Sequence, residues 1–221
     1  MLVICISGID GSGKTTQLRL LYNNLSKRGI KIRYLHFRWF ALFSWSIYLY
    51  AKLLRRTIII KTAIRPVYIH IFWIDAALRK IYPQTLMLDL LIWFLINKLL
   101  CFITNTKILL LDRGFIDTLI DLIWEVRSTR FLKSIVVKCV IGLLKSFKKI
   151  IFDIDLTTAI KRKHDLISLK EIAFKQKCFK IFAKYLDIPV IHTSNRSITE
   201  IHKDVLEKTK ALCNMGRHAY P

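Results

Sequence analysis

Eight residues near the start of the chain, Gly8-Ile9-Asp10-Gly11-Ser12-Gly13-Lys14-Thr15, fit G-x-x-x-x-G-K-[ST]. Each position has a chemical reason. The glycines permit backbone angles that turn successive N–H groups inward, forming a nest for a phosphate. A helix beginning near Lys14 adds the positive end of its dipole. Lys14 supplies a point charge for β- and γ-phosphate oxygens, and the Thr15 hydroxyl is placed to ligate Mg²⁺. The loop therefore predicts binding of ATP and Mg²⁺ through Gly8, Asp10, Gly11, Ser12, Gly13, Lys14, Thr15 and Thr16.

Such a loop works only between a strand and a helix, and both are legible. Leu2 to Ile6 is a short apolar run, as in a buried parallel strand. Leu18, Leu21 and Leu25 form a helical stripe that Gly29 ends. Further strands are expected at 30–37, 107–111, 150–154 and 189–192. Helices are expected at 115–126, 131–147, from Thr157, up to about Tyr185, and at 199–212. This alternation predicts an α/β chain: a three-layer P-loop fold, with a five-stranded parallel sheet covered by helices on both faces. Residues 39–105 read as mostly helical, broken near Arg65-Pro66 and at Pro83.

The whole chain, 1–221, reads as a single domain. It is 53% hydrophobic with a mean hydropathy of +0.37 and a net charge of +22. Its bases are scattered and spread over the surface, and no nucleic-acid motif accompanies them. The most apolar stretch, Leu86 to Thr104, contains Asp89, Asn97 and Lys98, which makes a buried core helix the expectation over a membrane span. Contact with a membrane surface is allowed but not required. The five cysteines show no metal spacing and the six histidines no H-E-x-x-H pattern. Cys5 and Cys139 lie in apolar patterns, so buried, reduced thiols in a cytoplasmic protein are expected.

The run GIDGSGKTTQL resembles the opening of thymidylate kinases. So do LLLDRG with Asp112-Arg113, FDIDLTTAIKRK, and the ending PVIHTSNRSITEIHKDVL. The resemblance covers 1–38 and 107–212, and implies phosphorylation of dTMP or another nucleoside monophosphate by a homodimer. It places Asp112 with Thr15 near Mg²⁺. Arg113 falls at the acceptor phosphate and Asp10, with Arg38 and Arg79, on the acceptor side. The loop itself has no base at its four variable positions. The catalytic arginine is therefore expected in a basic lid, about 161–170, where Lys161-Arg162-Lys163-His164 stands and Arg162 is the first choice beside Lys14 and Arg113. Asn195-Arg196 falls where the family holds adenine.

The chain departs from the family on the acceptor side. Phe37-Arg38-Trp39-Phe40 replaces Arg-Glu-Pro-Gly, and Asp117 stands at a usual serine position. Two other functions are therefore kept open. One is a kinase of a sugar or lipid-linked acceptor, and the other a nucleotide-gated module that binds nucleic acid.

Overall fold

A computed structural model describes residues 1–38, 40–61, 66–162 and 168–214. Five parallel strands form the central sheet in the order β2-β5-β1-β6-β7. They are β1 (Leu2–Gly8), β2 (Ile32–His36), β5 (Ile108–Asp112), β6 (Lys148–Asp153) and β7 (Val190–His192). The register pairs Ile6 with Asp112 and Gly8 with Phe152, so the strands end together at one edge.

Alternation along the strands sorts the two cores. Ile4, Ile6, Leu110, Ile150 and Phe152 face α1 (Lys14–Ser26) and α8 (Ile198–Asn214). Val3, Cys5, Leu109, Leu111 and Ile151 face the larger core. That core is built with α3 (Ala76–Ile103), α4 (Phe115–Val126), α5 (Ile135–Leu144) and α7 (Leu169–Tyr185). A parallel strand buried on both faces reads as continuous apolar sequence, which is why these strands stand out in the chain.

Several elements differ from their expected form. Residues 39–105 are not uniformly helical. A helix, α2 (Ser44–Leu53), is followed by an antiparallel hairpin of β3 (Thr57–Lys61) and β4 (Pro66–His70). TIIIK and PVYIH are rich in β-branched and aromatic residues, which favour strands; Pro66 opens β4 and does not break a helix, while Arg65 lies outside the described residues. Pro83 does not end a helix either. It is buried within α3, 28 residues long, and packing of one face outweighs the one backbone bond a proline forfeits.

The helix expected over 131–147 is two pieces. A 3-10 turn at Arg130–Lys133 precedes α5, whose first turn is capped by Ser134 Oγ. Cys101 is buried as an apolar thiol should be, but Cys139 is exposed on the outer face of α5.

Helix α3 is long and apolar enough to cross a membrane, yet only one face of it is a core face. Leu86, Leu90, Phe94, Asn97 and Cys101 are buried, while Leu95, Leu99, Phe102 and Ile103 are exposed. The polar residues of the stretch have local partners. Asn97 accepts from Arg33 Nε at 3.1 Å and donates to Trp93 O at 2.9 Å. Asp89 caps α2, accepting from the backbone N–H groups of Leu42, Phe43 and Ser44.

Candidate active site

The phosphate loop leaves the C-terminal end of β1, at the edge where open α/β sheets bind ligands. Gly8, Gly11 and Gly13 have φ of 147°, 84° and 91°, all in the region that side chains avoid. Close packing adds a second constraint. A Cβ on Gly8 would lie 2.5 Å from Phe152 O, and one on Gly11 would lie 2.9 Å from Ala159 O.

Lys14 lies across this loop, 5% exposed. Its Nζ donates to Gly8 O at 2.7 Å, to Ile9 O at 2.8 Å and to Ser12 Oγ at 3.4 Å. Burial, and then the neighbouring Arg113 charge, pull its pKa down to about 8. Thr15 Oγ1 donates to Asp112 Oδ2 at 2.7 Å, and the Tyr34 hydroxyl donates to the same oxygen at 2.6 Å. Asp112 Oδ1 is buried and has no hydrogen-bond partner among the described residues. A hydroxyl and a carboxylate with one open oxygen suit a hard cation such as Mg²⁺. Among the described residues there is no cluster of three or more His, Cys, Asp or Glu side chains that could hold a metal ion.

Arg113 follows Asp112 with φ of 71°, a strained angle for a side-chain-bearing residue. That turn aims its guanidinium back at the loop, where it pairs with the Asp10 carboxylate. Burial works against the Arg113 charge, but Asp10 and Asp117 outweigh it and its pKa is raised. Asp117 is buried, accepts from Gly114 N at 2.9 Å and from Gly8 N at 3.4 Å, and so ties the start of α4 to the loop. Burial raises its pKa while Lys14 and Arg113 oppose the rise. Gly114 leaves no room for a side chain, since a Cβ there would lie 2.6 Å from Cys5 Sγ.

Farther along α4 the surroundings become acidic. Arg38, Thr118, Asp121 and Glu125 line a cavity of ≈ 10 Å³. Asp121 is held by Arg38 at 3.3 Å and by Lys175 at 2.6 Å, and Lys175 also meets Glu171 at 2.6 Å. Burial, then the Asp121 charge, raise the Glu125 pKa from 4.5 to about 7. A carboxyl raised in the folded state carries a penalty that is present above about pH 7 and absent below pH 4.5. Glu125→Gln is therefore expected to stabilise the protein by about 1–2 kcal/mol at pH 8. The gain should vanish at pH 4, as denaturant midpoints at the two pH values would show.

The structure thus gathers Gly8 to Thr15, Asp112 and Arg113 into one site, with Arg38 in the adjoining cavity. Thr16 is exposed beside Thr15 at the start of α1. Arg79 is not drawn into the group. It lines a separate open cleft of ≈ 760 Å³ at the far end of α4, with Trp124, Arg127, Arg130 and Phe174. Phe72 is fully buried against Tyr82 and His70, and Trp73 is covered by the Arg127 guanidinium at 4.0 Å.

Helix α6 (Leu156–Arg162) packs on the loop where Ala159 meets Gly11, and Arg162 lies one turn farther on, donating to Thr193 O at 3.3 Å. Residues 163–167 of the expected lid, with Lys163 and His164, lie outside the described residues. Arg196 pairs with Asp204 at 2.8 Å and donates to His192 O, while Ser197 and Glu200 form a capping box for α8. Sequence reasoning missed the roles of Tyr34, Glu125 and Lys175. Only their placement around Asp112 and Asp121 reveals them, because their neighbours in sequence are ordinary strand and helix residues.

Fold and site together define a three-layer α/β P-loop fold. The solved structure of thymidylate kinase from Candida albicans is similar, with a TM-score of 0.57 and 16% sequence identity over 96% of this chain and 92% of that one. At that identity the likeness establishes a shared fold. No protein-family model matches the chain, and no curated protein matches its sequence.

Proposed function

We propose that this protein is a cytoplasmic kinase that transfers the γ-phosphoryl group of ATP to a nucleoside monophosphate, with dTMP the leading acceptor. The observation that carries the reading is the convergence of Lys14, Thr15, Asp112 and Arg113 at the mouth of one phosphate loop. Two polyanions must meet in line, and the charge between them must be offset. The loop N–H groups and Lys14 hold the donor phosphates. Arg113, steered by Asp10, grips the acceptor phosphate, with Arg38 beyond it. Thr15 and Asp112 would hold Mg²⁺, which when bound neutralises the phosphate oxygens. Arg162 reaches the transferring group from α6 as the lid closes and excludes water. Arg79, at the start of α3, lines the separate cleft beside Trp124 and is given no part in holding the acceptor phosphate.

The acceptor can be tested with γ-labelled ATP and each nucleoside monophosphate in turn, followed by chromatography of the labelled product. Labelled dTDP is expected. Label appearing in no nucleotide would refute the acceptor assignment. A sugar or lipid-linked phosphate is the second reading, favoured by the exposed apolar residues of α2 and α3, among them Trp45, Leu53, Leu99 and Phe102.

We further propose a homodimer formed through the outer stripe of α3. That stripe, with Leu88, Leu95, Leu99 and Phe102, carries no charged residue on its centre line and is exposed. Light scattering at micromolar concentration is expected to give twice the 26.0 kDa chain mass, and a monomeric mass would refute it.

A further inference from the structure

Helix α2 is apolar on both faces. Ser44 and Ala51 are buried, and Ile47 and Tyr48 pack against the core. The side chains it turns to solvent include Trp45 at 63% exposure, Leu49 at 46%, Tyr50 at 50% and Leu53 at 74%. At 100° per residue Leu49 and Leu53 form the centre of the outward arc, Trp45 and Lys52 lie on one side of it, and Tyr50 on the other. Asp89 pins the N-terminus of the helix, so the apolar arc is held in place by the fold and is not a loosely attached segment.

The charges around the arc indicate what covers it. Between Asp10 and Asp75 the sequence contains no acidic residue at all, while Lys52, Arg55 and Arg56 lie in or just after the last turn of α2. A second copy docking by the same arc would bring these cations face to face, with no acidic residue in α2 itself to offset them. An anionic lipid surface offers the complement: acyl chains for the leucines, the interface for Trp45 and Tyr50, and headgroup charge for the bases. We propose that α2 is a membrane-surface helix that seats the protein on anionic lipid, lying in the interface without crossing it.

The test is co-sedimentation of the full chain with vesicles of phosphatidylcholine alone, or mixed with phosphatidylglycerol. Binding to the mixed vesicles only is expected, falling as salt is raised to about 0.5 M. Trp45→Ser with Leu49→Ser and Leu53→Ser should weaken it by roughly tenfold or more. Lys52→Glu with Arg55→Glu, which leaves the apolar arc intact, should do the same. Equal binding to neutral vesicles, or none to anionic ones at low salt, would overturn the proposal. So would a dimer in light scattering that the triple serine variant converts to monomer, since a second copy would then be the occupant. ATP turnover is read separately and does not enter these outcomes.

Discussion

Lys14→Ala is expected to lower kcat/KM for ATP by at least about 10²-fold, the scale seen when one preorganised electrostatic group is removed from a transition state. The lysine Nζ reaches Gly8 O, Ile9 O and Ser12 Oγ together, which holds the ammonium group across the loop. Its Nζ is buried between Arg113 and the carboxylates of Asp117, Asp10 and Asp112. Burial and Arg113 pull the pKa down to about 8, so in the free enzyme the ammonium form is lost as pH rises through that value. Activity per unit free enzyme should therefore show an alkaline limb near pH 8. Stability should move the other way. A base with a depressed folded pKa binds fewer protons folded than unfolded, so Lys14 adds stability as pH rises from about 8 toward 10.5. An alkaline limb that persists unchanged in Lys14→Ala would assign it to another group.

The largest effect on stability is expected from Asp89→Ala. The carboxylate is fully buried and accepts four hydrogen bonds: from Leu42 N at 3.0 Å, Phe43 N at 3.0 Å, Ser44 N at 2.8 Å and Ser44 Oγ at 2.6 Å. Three of these donors are backbone groups at the start of α2 that have no partner within the helix. Removing the acceptor leaves them unpaired, with Ser44 N buried and the other two part-buried, at a cost of about 2–4 kcal/mol, because deleting one side of such a network exceeds the net value of its bonds. Thermal unfolding should move down by roughly 5–10 °C. Asp89→Asn should recover part of this, since an amide oxygen can still accept while its NH₂ faces donors. A loss below about 0.5 kcal/mol for the alanine variant would show that α2 is not anchored in this way.

The sheet was largely legible in the sequence because buried parallel strands are written as short apolar runs. Ile4, Leu110 and Ile151 announce themselves in that way. The phosphate loop was legible for a different reason: its glycines and its lysine answer to local backbone geometry, which neighbours in sequence determine. Residues 39–105 resisted reading because two signals compete there. TIIIK and PVYIH are strand-like but sit among helical apolar sequence, and Pro83 looks like a stop while packing holds α3 together around it. Cys139 lies in an apolar helical pattern, yet α5 meets the core through Val137, Val140 and Leu144, and position 139 falls on the other side.

The charged cluster around Asp121 was the least legible part of the candidate site, because it is made by residues far apart in sequence. Asp121 comes from α4, Lys175 from α7 and Arg38 from the end of β2, and no local pattern links them. Arg79 shows the converse difficulty. Its position in the sequence suggested the acceptor phosphate, but its place at the start of α3 directs it to the cleft beside Trp124.

The central claim is that this site moves a phosphoryl group from ATP to an acceptor phosphate and not to water. The most direct test is the rate of ADP release from ATP and Mg²⁺ by the purified full chain, with and without dTMP, in the native protein and in Lys14→Ala. Turnover that depends on dTMP and falls by at least about 10²-fold in the variant is expected. ADP release that is indifferent to dTMP and to every other monophosphate, or that is undiminished by loss of Lys14, would refute the assignment.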